Sequence, residues 1–297
     1  MKVARLDLDG TGSPMGLVTK ILKAEPDLPI PVPIEELARQ LDIESITDLK
    51  TAGFEGGLLT DECRSRGIIL VNRESPRQRR RFTIGHELGH FLIPTHKPVK
   101  AEQFLCSRED MQQWALKDQN AYFRMEAEAN TFSALILMPP PALRKTMGTL
   151  GDPNLENVLR VAKHFDVSKD AAARAYAEHH SELVAIAVVK DGVVLRTYKG
   201  LKFPRLCVPY QSPVPLQSMF HRKAKNTGAS ELEAARAEFW LESERFTKLP
   251  ELYEQVVHQR DGHALILLWA EASEEEDEAG DERTAKQRLR DRQSRWS

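Results

Sequence analysis

The stretch His86-Glu87-Leu88-Gly89-His90 joins residue types and a spacing that together can do metal-dependent chemistry. In a helix of about 3.6 residues per turn, positions four apart share a face, so the imidazoles of His86 and His90 can converge on one ion. Glu87 leaves the helix about 100° round from His86, near enough to hold a water on that ion without being a ligand. That is the place of a general base. A closed structural zinc site takes four protein ligands, often cysteines, whereas a hydrolytic site takes three and keeps one position for water. The three cysteines, Cys63, Cys106 and Cys207, stand apart with no Cys-x-x-Cys spacing, which speaks against the first kind. A third ligand, Asp, Glu or His, is expected downstream.

Its best candidate is Glu126, in a second helix expected over 125–138 and stopped by the prolines at 139–141. Ala129, Phe132, Leu135 and Ile136 make an apolar stripe, and Glu126 sits at its edge, where a buried carboxylate needs a partner such as Zn²⁺. Asn130 shares the face of Glu126 and can hold a ligand histidine from behind through a hydrogen bond. Glu128 lies about 200° round the helix and is expected to be solvated. His96 and Tyr122 are the nearby polar groups able to stabilise the oxyanion of a peptide-bond transition state.

Several elements must position these groups. Ser75 is expected to cap the first helix, with Pro76 in its first turn and Ile84, Leu88 and Phe91 seating it against a core. Arg77, Arg79, Arg80 and Arg81 form either a solvated face or a holder for an acidic substrate segment. Residues 57–60 and 67–71 read as an antiparallel hairpin, one strand of which could pair with an extended substrate backbone.

Arg81-Phe-Thr-Ile-Gly-His-Glu-Leu-Gly-His-Phe-Leu92, followed by Glu126-x-x-Ala129-Asn130-x-Phe132 and Leu137-Met138-Pro139, resembles the ImmA/IrrE family of zinc metallopeptidases. Gly53-Phe-Glu-Gly-Gly-Leu-Leu59 and Gly67-Ile-Ile-Leu-Val-Asn72 extend the likeness, which spans about residues 50 to 140. The resemblance implies that His86, His90 and Glu126 bind zinc and that Glu87 is catalytic, with Mn²⁺ a possible substitute in vitro. It further implies a soluble endopeptidase that cleaves a helix-turn-helix (XRE-type) repressor and so derepresses a stress, phage or mobile-element regulon.

The 297 residues, 41% hydrophobic and 29% charged, suit a globular protein, with no apolar run of membrane length and no signal-peptide core. Scattered cysteines suit the cytoplasm. A net charge of −2 offers no general attraction to nucleic acid. The expected fold class is α+β. It comprises an N-terminal helical region (1–50), a zincin-like metallopeptidase core with an active-site helix and a small antiparallel sheet (51–150), a helix-turn-helix-like module (151–180), a C-terminal α+β domain (181–270) and a charged, disordered tail (271–297). The module has only Arg174 on its second helix to meet a phosphate, so packing is favoured over direct DNA binding. In the last domain, Asp191-Gly192 is expected to close a hairpin whose first strand is buried on both faces, followed by a helix near 230–246 and a strand at 263–269. Two rival functions remain: a DNA-binding transcription regulator with a structural or vestigial zinc site, and a toxin-antitoxin adaptor.

Overall fold

The computed structural model describes residues 1–50, 53–97, 103–106 (backbone only), 120–222, 228–243 and 248–271. The chain divides into two compact units, one of residues 1–146 and 162–171, the other of the remainder.

In the first unit, helix α1 (Pro14–Ala24) is capped by Ser13, whose side chain accepts from the Gly16 N–H at 3.2 Å. Helix α2 (Ile34–Gln40) buries Ile34, Leu37 and Ala38, the apolar face that the sequence outlines. It ends at Gln40, and Asp42, with a left-handed φ of 70°, turns the chain into strand β1 (Ile43–Leu49). Strands β2 (Gly56–Thr60) and β3 (Gly67–Asn72) pair antiparallel as expected. The sheet, in order β1-β3-β2-β4, is mixed, because β1 runs parallel to β3. Strand β4 (Gln103–Cys106) pairs with the other side of β2. Both strands of the hairpin are therefore internal, and neither has the open edge that substrate pairing requires; the sheet's edges are β1 and β4.

Helix α3 (Arg77–Leu92) carries His86, Glu87 and His90, and α4 (Ala121–Leu137) carries Glu126 and Asn130. Ser75 does not cap α3: Pro76 is its N-cap residue, and the Ser75 hydroxyl donates to Glu55 Oε2 at 2.9 Å. Nor is the arginine run a bare face. Arg77 and Arg81 meet Asp166, Arg79 meets Glu55, Arg80 meets Asp48, and Arg81 also donates to the Val32 carbonyl at 2.8 Å. Pro140 opens a further helix, α5 (Pro140–Met147), where the missing N–H of proline costs nothing.

Helices α6 (Leu155–Phe165) and α7 (Lys169–His179) are each divided between the units. In the second unit, α7 buries Ala172, Ala173, Ala175, Tyr176 and Ala177, and Arg174 pairs with Glu178 at 2.9 Å. The antiparallel sheet of this unit runs β6-β5-β9-β8-β7. Its strands are β5 (Leu183–Lys190), β6 (Val193–Lys199), β7 (Glu233–Ala235), β8 (Leu252–His258) and β9 (His263–Ala270). Six successive residues of β5 are buried, so the strand is covered on both faces, and the turn after it has φ of 49° at Asp191 and 79° at Gly192. The helix expected near 230–246 is absent among the described residues. Strand β7 and a single 3-10 turn at Ala237–Phe239 take its place, bringing Trp240 and Leu241 into the core. The tail expected after residue 271 and most of residues 94–118 lie outside the described residues.

Candidate metal centre

Helices α3 and α4 can approach closely because small residues line their contact. A Cβ on Gly85 would lie 2.6 Å from Ser133 Oγ, and one on Gly89 would lie 3.2 Å from the Ala129 Cα. Ser133 Oγ donates across the interface to the Phe82 carbonyl at 2.7 Å. The far end of α3 is clamped from the loop between β2 and β3. There Arg64 donates to the carbonyls of His90, Phe91 and Ile93 at 3.1, 3.3 and 2.6 Å, and also to that of His96. The carbonyls of His90 and Phe91 belong to the last turn of the helix, where intrahelical donors run out.

The approach of the two helices gathers three donors. His86 Nε2 lies 3.0 Å from His90 Nε2 and 3.2 Å from Glu126 Oε2, and His90 Nε2 lies 3.5 Å from Glu126 Oε1. His86 and His90 are 0% exposed and Glu126 is 1% exposed. Behind the cluster, His86 Nδ1 donates to Asn130 Oδ1 at 2.9 Å. An amide oxygen only accepts, so the proton of His86 resides on Nδ1 and its Nε2 offers a bare lone pair to the cluster. Two imidazole nitrogens and a carboxylate crowded together in a dry site repel one another unless a cation lies among them. The donor set therefore fits a metal ion, and it suits Zn²⁺ by ligand type. Burial works to raise the Glu126 carboxyl, but the imidazoles of His86 and His90 outweigh it and hold the group well below the usual carboxylate range. Burial likewise pushes His90 down.

Glu87 is fully buried on α3, and its charge acts on His86. Tyr122 stands on α4 one turn before Glu126 and is half-buried. His96 is not poised over the cluster, as an oxyanion-stabilising group would be. Its Nδ1 lies 3.0 Å from His90 Nδ1 and its Nε2 lies 3.0 Å from Glu128 Oε2, so it backs a histidine of the cluster. Burial, reinforced by His90 and Arg64, pushes His96 down to about 2, which keeps the ring neutral. Glu128 is thus partnered and not simply solvated. Arg64 carries no motif signal, and the part that Gly85 and Gly89 play in the helix contact shows only through what the fold sets beside them.

Residues 45–176 match the model of the IrrE N-terminal-like domain, Peptidase M78. This part of the chain is an IrrE N-terminal-like domain. The match encloses the whole cluster, His86, Glu87, His90, Glu126 and Asn130. The domain is similar to the radiation response metalloprotease IrrE of Deinococcus radiodurans, at 28% identity over 125 residues, which is 42% of this chain and 35% of that protein. The chain thus matches about a third of its relative's length. A Mycobacterium tuberculosis transcriptional regulator shares the fold at a TM-score of 0.51 and 12% identity, over 87% of this chain and 75% of that one. No helix among the described residues is long and apolar enough to cross a membrane.

Proposed function

We propose that the chain is a zinc-dependent endopeptidase whose ion is held by His86, His90 and Glu126, with Mn²⁺ able to substitute in vitro. The observation that carries this reading is a fully buried Glu87 carried on the same helix as two buried imidazoles and opposite a third donor. A purely structural site has no use for that carboxylate. When bound, zinc supplies Lewis acidity to the scissile carbonyl and to the attacking water. Glu87 accepts the proton of that water and delivers it to the leaving amine nitrogen, while Asn130 keeps His86 in the tautomer that faces the ion. The edge strands β1 and β4 are the places where an extended substrate could add its backbone to the sheet.

The substrate we propose is a helix-turn-helix, XRE-type repressor, cleaved in the cytoplasm to release its regulon. Support for this comes from the ImmA/IrrE resemblance and from the similarity to a radiation response metalloprotease. The test is Glu87→Gln, which keeps size, helix propensity and all three metal ligands. In a purified mixture of protein, repressor and Zn²⁺, cleavage is expected to fall by at least about 100-fold, within the 10²–10⁴ that general-base catalysis contributes, while zinc content and repressor binding persist. Glu87→Gln relieving repression in cells as well as the parent does would rule proteolysis out.

A further inference from the structure

Both histidines of the cluster are approached at Nδ1 from the side of α4, but by different routes. Asn130 reaches His86 directly. His90 is reached by His96, and His96 in turn by Glu128, which lies on α4 only two residues beyond Glu126. We propose that His96 and Glu128 are positioning residues that set the proton of His90 and thereby the metal affinity of the centre. This rests on the reading that His86, His90 and Glu126 hold a metal.

The proton placement follows link by link. The Glu128 carboxylate can only accept, so the nitrogen 3.0 Å away, His96 Nε2, carries a hydrogen. A neutral imidazole has one N–H, so His96 Nδ1 is an acceptor. The nitrogen 3.0 Å from it, His90 Nδ1, must then be the donor. That puts the ring lone pair of His90 on Nε2, which faces His86 Nε2 and Glu126, the state a metal ligand needs. Removing His96 removes the acceptor that faces His90 Nδ1, and a proton moved to Nε2 would block the site.

His96 is also held where the relay needs it. Pro94 follows the end of α3, and the turn after it is fixed by Arg64, which binds the carbonyls of Ile93 and His96 with one guanidinium. The ring is 2% exposed, so water does not substitute for either of its partners. Glu128 keeps 35% of its side chain exposed, so changing it disturbs little else.

The experiment uses the full chain and two readouts that do not depend on proteolysis. One is competition for zinc with a chromophoric chelator; the other is the tautomer of His90 in metal-free protein, from long-range proton–nitrogen spectra of histidine-labelled samples. His96→Phe and Glu128→Leu are each expected to weaken zinc binding by about 10- to 100-fold, the range for loss of a group that orients a metal ligand. Both should also shift His90 away from the Nδ1–H form. His96→Asn and Glu128→Gln place an amide oxygen where the acceptor was, and should return both readouts toward the parent. If His96→Phe fails to fold, Glu128→Leu at its half-exposed position decides alone. Parent-like zinc affinity and an unchanged His90 tautomer in Glu128→Leu and in folded His96→Phe would overturn the relay while leaving the metal site standing. A parent protein that takes up no zinc would overturn both together.

Discussion

Replacing Gly89 by alanine tests whether the spacing of two helices sets the metal site, without touching a ligand. A Cβ built there lies 3.2 Å from the Ala129 Cα, 3.2 Å from Phe132 Cδ1 and 3.3 Å from Phe132 Cβ. Carbon atoms rest in contact at about 3.5 Å or more, so α4 must retreat by about 0.3 Å, and because one obstacle is backbone, no rotamer change removes it. Glu126 rides on α4 three residues before Ala129, while both histidines ride on α3 either side of Gly89. Metal–ligand distances tolerate about ±0.2 Å, so the retreat exceeds what the donor set can absorb. Overpacking costs about 1–3 kcal/mol and the Gly-to-Ala gain in helix propensity returns about 1, leaving a net loss of about 0–2 kcal/mol. The protein should therefore fold and melt a few degrees lower at most, yet bind zinc at least about tenfold more weakly in a chelator competition. Gly89→Ala binding zinc as tightly as the parent would refute the argument that helix contact sets the site.

His90→Ala should abolish tight zinc binding, because two ligands seldom hold the ion against competition; full metal content in that variant would remove His90 from the site. Asp166→Asn keeps a residue that tolerates its left-handed φ of 51° but loses the charge facing Arg77 and Arg81, so it should cost about 1–3 kcal/mol in denaturant melts. Burial works to raise Asp166, but Arg77, Gln78 and Arg81 prevail and depress it. Its contribution is accordingly complete above the ordinary value of about 3.9 and disappears as pH falls through the lower folded value, where the gap between parent and variant should close. Glu254 has the opposite sign. Burial raises its carboxyl, which the Ser218 hydroxyl, the Met219 N–H and the Trp240 indole hold in the core, so its contribution is full below about 4.3 and is lost as pH rises through the folded value. Thermal melts of parent and Glu254→Gln should diverge in the parent's favour on acidification from neutral pH toward that value, and a constant difference would contradict this.

Local rules carried much of what could be read from the chain alone. Helical phase by itself puts His86 and His90 on one face and Glu126 beside Asn130, and the Asp191-Gly192 pair specifies a turn with two positive φ angles, because these depend on residues within one element. What tertiary structure decided are the meetings between elements far apart in sequence. Strand β1 becomes strand by pairing parallel to β3, although its mixed pattern Ile-Glu-Ser-Ile-Thr-Asp-Leu signals little. The stretch at 233–239 has helical composition, yet pairing with β8 and burial of Trp240 override propensity. The arginines before the motif look like a solvated run until Asp48, Glu55 and Asp166 arrive beside them. His96 lies six residues beyond His90 with the end of the helix and Pro94 between them, so no periodicity predicts that its ring returns to His90. Only the Arg64 clamp and the position of Glu128 on a second helix bring it there, since a hydrogen bond of 3.0 Å is decided by where backbones pack and not by how residues are spaced along the chain.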